Sequence, residues 1–233
     1  MTSQLVCRPE RDLPVAVLRV RGRLDRHTAH ALRIAVRRCL APQPEALLVD
    51  LTGADLAEPA ALEVIPHVIT ETAEWPNVPV IVCGHNLDHP LVGYADSLAE
   101  AMTEIADEPE PRRIRVRLKP VPDACRQVRQ LVHQACVAWH AGEAAASASL
   151  VATELVANVV RHAHTTMEFT LGLRDNRLCL TVRDGSRRLP RAVDPTLTET
   201  GGRGLRLVRA LTESWGVHPF TDGKVVWTHL GVA

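Results

Sequence analysis

Residues Glu154-Leu-Val-Ala-Asn158-Val-Val-Arg-His162 combine polar and apolar positions at helical spacing, and this stretch decides how the second half of the chain folds. Glu154, Asn158 and His162 stand at i, i+4 and i+8, so a helix places them on one face. The leucine and valines between them predict a helix over about 144–163 that is buried apart from this polar stripe. The stripe could face a ligand or an ion, because buried polar groups need partners. An exposed polar face fits the pattern equally well.

A second segment, Leu178-Cys-Leu-Thr-Val182-Arg-Asp184-Gly185, has the alternation of a strand and ends in an aspartate and a glycine. A carboxylate at a strand end can accept a hydrogen bond from the exocyclic amine of a base, and glycine lets the base approach the backbone closely. An Asp-Gly pair is also common in ordinary turns, so this segment alone predicts little.

A third segment, Gly201-Gly202-Arg203-Gly204-Leu205, runs into a helix predicted over about 204–212. Free backbone N–H groups at a helix start attract anions, and glycine allows phosphate oxygens close to the chain. A glycine-rich cap or hinge is the alternative. The occurrence of all three segments in this order favours a nucleotide site over coincidence.

The remainder of the second half supplies strands and one more helix. We expect strands over 114–118, 167–174, 177–182 and 225–230, and a helix over 123–139, with a hairpin turn at Asp175-Asn176. This pattern predicts a two-layer α/β domain with an antiparallel-rich sheet.

On these motifs, residues 112–233 resemble the GHKL ATPase superfamily, and within it the anti-sigma-factor serine kinases. Segment 154–163 is similar to the N box of that family, 182–186 to its first glycine box and 201–205 to its second. The resemblance implies a Bergerat-type (HATPase_c) two-layer α/β fold that binds ATP and Mg²⁺. Ser186 and Arg187 stand where the first glycine box usually has another glycine.

The resemblance also implies roles for individual residues. Asn158 would coordinate the Mg²⁺ that bridges the phosphates, Glu154 would act as general base, and Asp184 with Gly185 would hold adenine. Residues 186–200 would form a flexible lid over the nucleotide. The phosphate end would be bound by the second glycine box, namely Gly201, Gly202, Arg203, Gly204 and Leu205.

In the first half of the chain, predicted strands alternate with predicted helices, in an order that differs from that of the second half. Strands are expected over 15–20, 47–51 and 78–83, and helices over 28–40, 59–72 and 97–105, which predicts an α/β layer fold with a partly parallel sheet. Prolines and acidic residues at 107–111 mark a boundary. We therefore predict an N-terminal domain over 1–107, a linker over 108–111 and a C-terminal domain over 112–233.

Residues 13–107 resemble the STAS domain of anti-sigma-factor antagonists through the segments Val17–Asp25 and Leu47–Asp55. In that family a serine in an Asp-Ser-x-Gly-Leu segment accepts phosphate. The corresponding segment here is Glu58-Pro59-Ala60-Ala61-Leu62, so the phosphoacceptor serine is absent. The resemblance implies either a constitutive contact with the kinase domain, within one chain or between two copies, or a scaffold role.

Composition excludes several classes of function. The 27 basic and 27 acidic residues balance, so the chain lacks the basic field of nonspecific nucleic-acid binding. We find no apolar stretch of about 20 residues and no signal peptide, and predict a cytoplasmic protein without nucleic-acid or membrane partners. The six cysteines are scattered, without the spacing of a zinc site.

These observations predict an ATP- and Mg²⁺-dependent protein serine/threonine kinase that acts as an anti-sigma-factor regulator in bacterial transcription control. Its partner would be an anti-sigma-factor antagonist, a sigma factor, or both. One alternative is a non-catalytic ATP-binding module that sequesters a sigma factor or antagonist. A plain ATPase that uses hydrolysis for conformational work is the other.

Overall fold

The computed structural model describes residues 5–11, 14–107, 112–174, 176–189 and 203–232. The chain divides into two compact units, Met1–Pro109 and Glu110–Ala233. Each unit contains a five-stranded sheet with helices, so the α/β class predicted from the sequence is confirmed. The expected linker, 108–111, lies outside the described residues.

The N-terminal unit is built on a mixed sheet in the order β1-β2-β3-β4-β5. β1 is antiparallel to β2, and the other neighbours are parallel. The first six residues of β3 are all buried, as expected for a parallel strand with helices on both faces. The elements are β1 Val6–Arg11, β2 Val15–Leu24, α1 Ala29–Leu40, β3 Ala46–Leu56, α2 Val64–Glu71, β4 Val80–Cys83, β5 Val92–Ala95 and α3 Leu98–Asp107.

The helix predicted over 59–72 is divided in the structure. Pro59–Glu63 form a 3₁₀ helix, and α2 begins at Val64. The reason is Pro66, which has no N–H to donate to the carbonyl of Leu62 and whose ring would crowd that carbonyl in a continuous α-helix. Pro59 itself opens the 3₁₀ helix, where a missing N–H costs nothing.

The C-terminal unit is built on an antiparallel sheet in the order β6-β7-β8-β10-β9. The predicted hairpin of β7 and β8 is present, and β9, which the sequence analysis did not predict, lies at one edge. The elements are β6 Arg113–Leu118, α4 Asp123–Ala138, α5 Ala145–Asn158, β7 Met167–Arg174, β8 Arg177–Asp184, α6 Arg203–Leu211, β9 Ser214–Phe220 and β10 Gly223–Gly231.

Helix α5 is the centre of this unit and packs against α4, α6 and β8. By length and composition alone, residues 142–163 could span a membrane, which the sequence analysis did not recognise. In the structure the helix is instead part of the core, where Leu155, Val156 and Val159 are buried together with Phe169 of the sheet. The apolar character of this segment therefore reflects packing.

Replacing a buried leucine of α5 should destabilise the C-terminal unit. Leu155→Ala removes a side chain that is 2% exposed, so we expect the free energy of unfolding to fall by about 2–5 kcal/mol. Leu150→Ala is a matched control, because Leu150 lies on the same helix and is 49% exposed; its effect should stay within about 0.5 kcal/mol. Urea denaturation followed by circular dichroism measures both. Equal losses would contradict the assigned buried face of α5.

Candidate functional site

Two residues of the predicted polar stripe, Glu154 and Asn158, lie near the C-terminal end of α5. Asn158 is the last residue of this helix and is half-buried. Within the described part of the chain, no side-chain hydrogen bond involves its amide, so both the carbonyl oxygen and the NH₂ group remain available. A side chain held on a rigid helix with unused polar atoms suits a ligand or ion contact.

Beyond Asn158 the chain does not continue as an α-helix. Val159–Ala163 form a turn of π-helix, which ends at His164 in the left-handed region with φ 55°. The His164 N–H closes the turn by donating to the Val159 carbonyl at 2.9 Å. Single π turns within helices occur frequently at functional sites. The apolar periodicity that predicted one helix over 144–163 gave no sign of this change.

The π turn carries Arg161, which folds back along the helix toward Glu154. Its Nη2 donates to Glu154 Oε2 at 3.2 Å, and its Nε donates to the Ala157 carbonyl at 3.2 Å. Glu154 is therefore an ion-paired carboxylate that is still partly exposed. Arg161 was not among the predicted site residues, although its i+7 spacing from Glu154 places both on one helix face.

The start of α6 lies directly against Glu154. A methyl group on Gly204 would overlap Glu154 Oε2 and lie 3.3 Å from its Cδ, so only glycine fits here without a shift of the carboxylate. The next residue, Leu205, is buried, and Val208 one turn later belongs to the core. Thus two of the three predicted motifs meet at the contact between Gly204 and Glu154.

Asp184, the residue expected to hold a base, has an unexpected partner. Lys224 Nζ lies 2.8 Å from both of its carboxylate oxygens. The Ser186 N–H donates to Oδ1 at 2.7 Å, and Lys224 also donates to the Ser186 carbonyl at 3.2 Å. The Asp184 side chain is 1% exposed and that of Lys224 9%. A buried ion pair therefore occupies the position predicted for base recognition, and a role of Asp184 toward adenine stays a prediction.

Gly185 connects this pair to the end of α5. Its N–H donates to Thr165 Oγ1 at 3.0 Å, just beyond the π turn. On the other side, a methyl group on Gly223 would overlap the Asp184 carbonyl, so glycine is needed where β10 begins beside β8. These contacts bring the segment proposed as the first glycine box next to the end of the helix that carries Glu154 and Asn158.

The structure describes only part of the predicted second glycine box and of the predicted lid. Arg203 is the first residue of α6. Gly201 and Gly202 lie outside the described residues, as does most of the expected lid, 190–200. Burial raises the pKa of the Cys125 thiol on α4, and the nearby Arg161 guanidinium offsets this only in part.

The part of the chain that contains these contacts matches a known family. Residues 118–229 match the family model described as "Histidine kinase-like ATPase domain". The segment is a histidine kinase-like ATPase domain. No curated protein matches the chain. The contacts described above therefore lie within the ATPase domain.

Three solved structures are similar to parts of the chain. An anti-sigma factor antagonist from Mycobacterium paratuberculosis is 22% identical, with a TM-score of 0.37 over 44% of this chain and 95% of that chain. A serine-to-glutamate variant of RsbS from Moorella thermoacetica is 14% identical, with a TM-score of 0.35 over 45% and 97%. The histidine kinase domain of a blue-light activated histidine kinase from Erythrobacter litoralis is 19% identical, with a TM-score of 0.33 over 45% and 61%. The first two matches lie in the N-terminal region.

The link between Thr165 and Gly185 can be tested without a ligand. Thr165→Val keeps the shape of the side chain but removes the oxygen that accepts the Gly185 N–H. Hydrogen exchange of the Gly185 amide should then accelerate roughly fivefold, because such a bond contributes about 1 kcal/mol. Thr166→Val, at the exposed neighbouring position, is the control and should leave this amide unchanged. An unaltered exchange rate in Thr165→Val would show that the bond does not hold the first glycine box.

Proposed function

We propose that the ATPase domain binds ATP with Mg²⁺ and is a protein serine/threonine kinase that regulates anti-sigma-factor antagonists in bacterial transcription control. The observation that carries this proposal is the contact of Gly204 with Glu154. It brings the carboxylate proposed as general base to the helix start proposed to receive the phosphates. The family match over 118–229 supports ATP as the nucleotide.

Asn158 fits the role of the protein ligand to Mg²⁺. Magnesium prefers oxygen ligands, keeps several waters and commonly takes only one or two ligands from the protein in addition to substrate phosphates. The carbonyl oxygen of Asn158, which has no hydrogen-bond partner among the described residues, meets this requirement. Among the described residues, no group of three His, Cys, Asp or Glu side chains could hold a metal without substrate. When bound, the ion would neutralise charge on the phosphates.

The residues around Asn158 would then orient the reactants. Glu154 would accept the proton of the attacking hydroxyl, one helical turn from the metal ligand. The N–H groups at the start of α6 would face the phosphate oxygens, where the helix dipole favours negative charge. In phosphoryl transfer such positioning and charge stabilisation supply nearly all of the catalysis.

The acceptor serine would belong to a separate protein. Pro59 opens the 3₁₀ helix of the N-terminal unit, and neither it nor Ala60 has a hydroxyl. The N-terminal unit therefore cannot receive phosphate at these positions. A separate antagonist of the STAS type is the proposed substrate, and the N-terminal unit would act as a pseudo-substrate or scaffold in the same regulatory complex.

One observation favours the second candidate, a non-catalytic ATP-binding module that sequesters a sigma factor or antagonist. Arg161 forms an ion pair with Glu154 at 3.2 Å, so the carboxylate proposed as general base already contacts a guanidinium in this structure. For catalysis, Arg161 would have to move away from Glu154 when the nucleotide and the acceptor bind.

The metal role of Asn158 predicts a loss of nucleotide affinity. Asn158→Ala should weaken binding of ATP in the presence of Mg²⁺ by about tenfold or more, because the ion loses its protein ligand. His162→Ala, one turn further and exposed, should bind as the wild type does. Isothermal titration of the full chain, with and without a chelator, measures this. Unchanged affinity in Asn158→Ala would exclude the proposed metal site.

The roles of Glu154 and Arg161 separate the two candidate functions. If the domain is a kinase, Glu154→Gln should retain ATP binding while phosphoryl transfer falls by about 10²–10⁴-fold, because the general base is lost. Arg161→Gln should not abolish transfer. Incubation with radiolabelled ATP and a panel of STAS-type antagonists is the measurement. Absence of transfer by the wild type to every antagonist, together with intact ATP binding, would favour the non-catalytic module.

A further inference from the structure

The ion pair of Asp184 and Lys224 brings two opposite charges to the site where a base was expected. The two residues are direct cross-strand partners on β8 and β10, so the register of the sheet fixes their proximity. Both side chains are almost completely buried, and both oxygens of the carboxylate contact the ammonium. The pair is therefore part of the interior of the domain and is not an ion pair between flexible surface side chains.

We propose that Lys224 determines the base selectivity of the ATPase domain, and that the Asp184–Lys224 pair accepts 6-oxo purine nucleoside triphosphates as well as ATP. This inference rests on the proposed nucleotide-binding function. It concerns only the group at position 6 of the purine, which is an amine in adenine and a carbonyl oxygen in hypoxanthine and guanine.

A lone carboxylate discriminates strongly between these groups. Ionised, it can only accept hydrogen bonds, so it pairs with the 6-amine and repels the 6-oxo group. An ammonium has the opposite preference, because it can only donate. When the two side chains form one neutral pair, either purine finds a complementary atom and neither meets an uncompensated charge. Selectivity for adenine is then small.

The hydrogen bonds around the pair allow either side chain to bond to a purine instead of to its present partner. Oδ1 of Asp184 already accepts from both Ser186 and Lys224, whereas Oδ2 lies 2.8 Å from Lys224 Nζ in the ion pair and retains at least one lone pair. The contact of Lys224 with the Ser186 carbonyl, at 3.2 Å, is the longest of the set. The ammonium can give up this contact to donate to a base.

Lys224 is also the member of the pair with the longer and less constrained side chain. Its four-carbon stem has several rotatable bonds and its side chain is the more exposed of the two. Asp184 is short and is held by the Ser186 N–H at 2.7 Å. A base that reaches the exposed Gly185 would therefore meet a fixed carboxylate with an adjustable ammonium beside it.

The test compares ATP with inosine triphosphate, which has the 6-oxo group without the 2-amine of guanine. Isothermal titration with Mg²⁺ on the full chain would cover the wild type, Lys224→Met and Lys224→Thr. Lys224→Thr also removes the positive charge and provides a second variant if the methionine variant does not fold. Lys119→Met is the matched control, because Lys119 is the other lysine of the chain and is exposed.

The wild type and Lys119→Met should bind the two nucleotides with similar affinity. In the Lys224 variants, binding of inosine triphosphate should weaken by about tenfold or more relative to ATP, because a hydrogen bond to a charged group is replaced by repulsion. A wild type that already rejects inosine triphosphate, or an unchanged ratio in folded Lys224 variants, would overturn the inference and leave the pair a structural clasp. Failure of both nucleotides to bind the wild type would instead contradict the proposed function.

Discussion

Burial of α5 between α4 and the sheet is the constraint on which the C-terminal unit depends. The helix must direct its leucine and valines into the core, so Glu154 and Asn158 can lie only on the remaining face. That face borders the start of α6, where Gly204 allows contact. The same packing that stabilises the domain therefore positions its candidate catalytic and metal-binding groups, and a rigid helix holds them more accurately than a loop would.

The sequence predicted those parts of the site that depend on local patterns. Helical periodicity placed Glu154 and Asn158 together, and the position of Gly204 at a helix start was readable from the chain itself. The partner of Asp184 was not readable in this way. Lys224 is 40 residues away, and only the register of β8 with β10 makes the two neighbours. Such a register is set by the whole sheet. The sequence therefore predicted that the Asp184 carboxylate is free to bind a base, whereas the structure pairs it with Lys224.

Which elements of the fold could be predicted also depended on whether local sequence determines them. The strands that the sequence analysis did not predict, β1, β5 and β9, all lie at sheet edges. An edge strand has one neighbour and needs less apolar character, and these contain residues such as Pro9, Gly93 and Pro219 that weaken a strand pattern. The π turn after Asn158 was not predicted for another reason. Hydrophobic spacing over five residues does not distinguish a π turn from an α-helix.

The choice of lysine at position 224 is itself informative, because the chain has only two lysines among its 27 basic residues. Arginine would present a planar fork of five donors, too many for the two carboxylate oxygens and one carbonyl found here. An ammonium is compact and carries three donors, which these three acceptors can satisfy without leaving a buried N–H unpaired. A buried pair costs desolvation energy and is weak evidence for stability alone. The Ser186 N–H and carbonyl, which bond to Asp184 and Lys224 respectively, offset part of that cost.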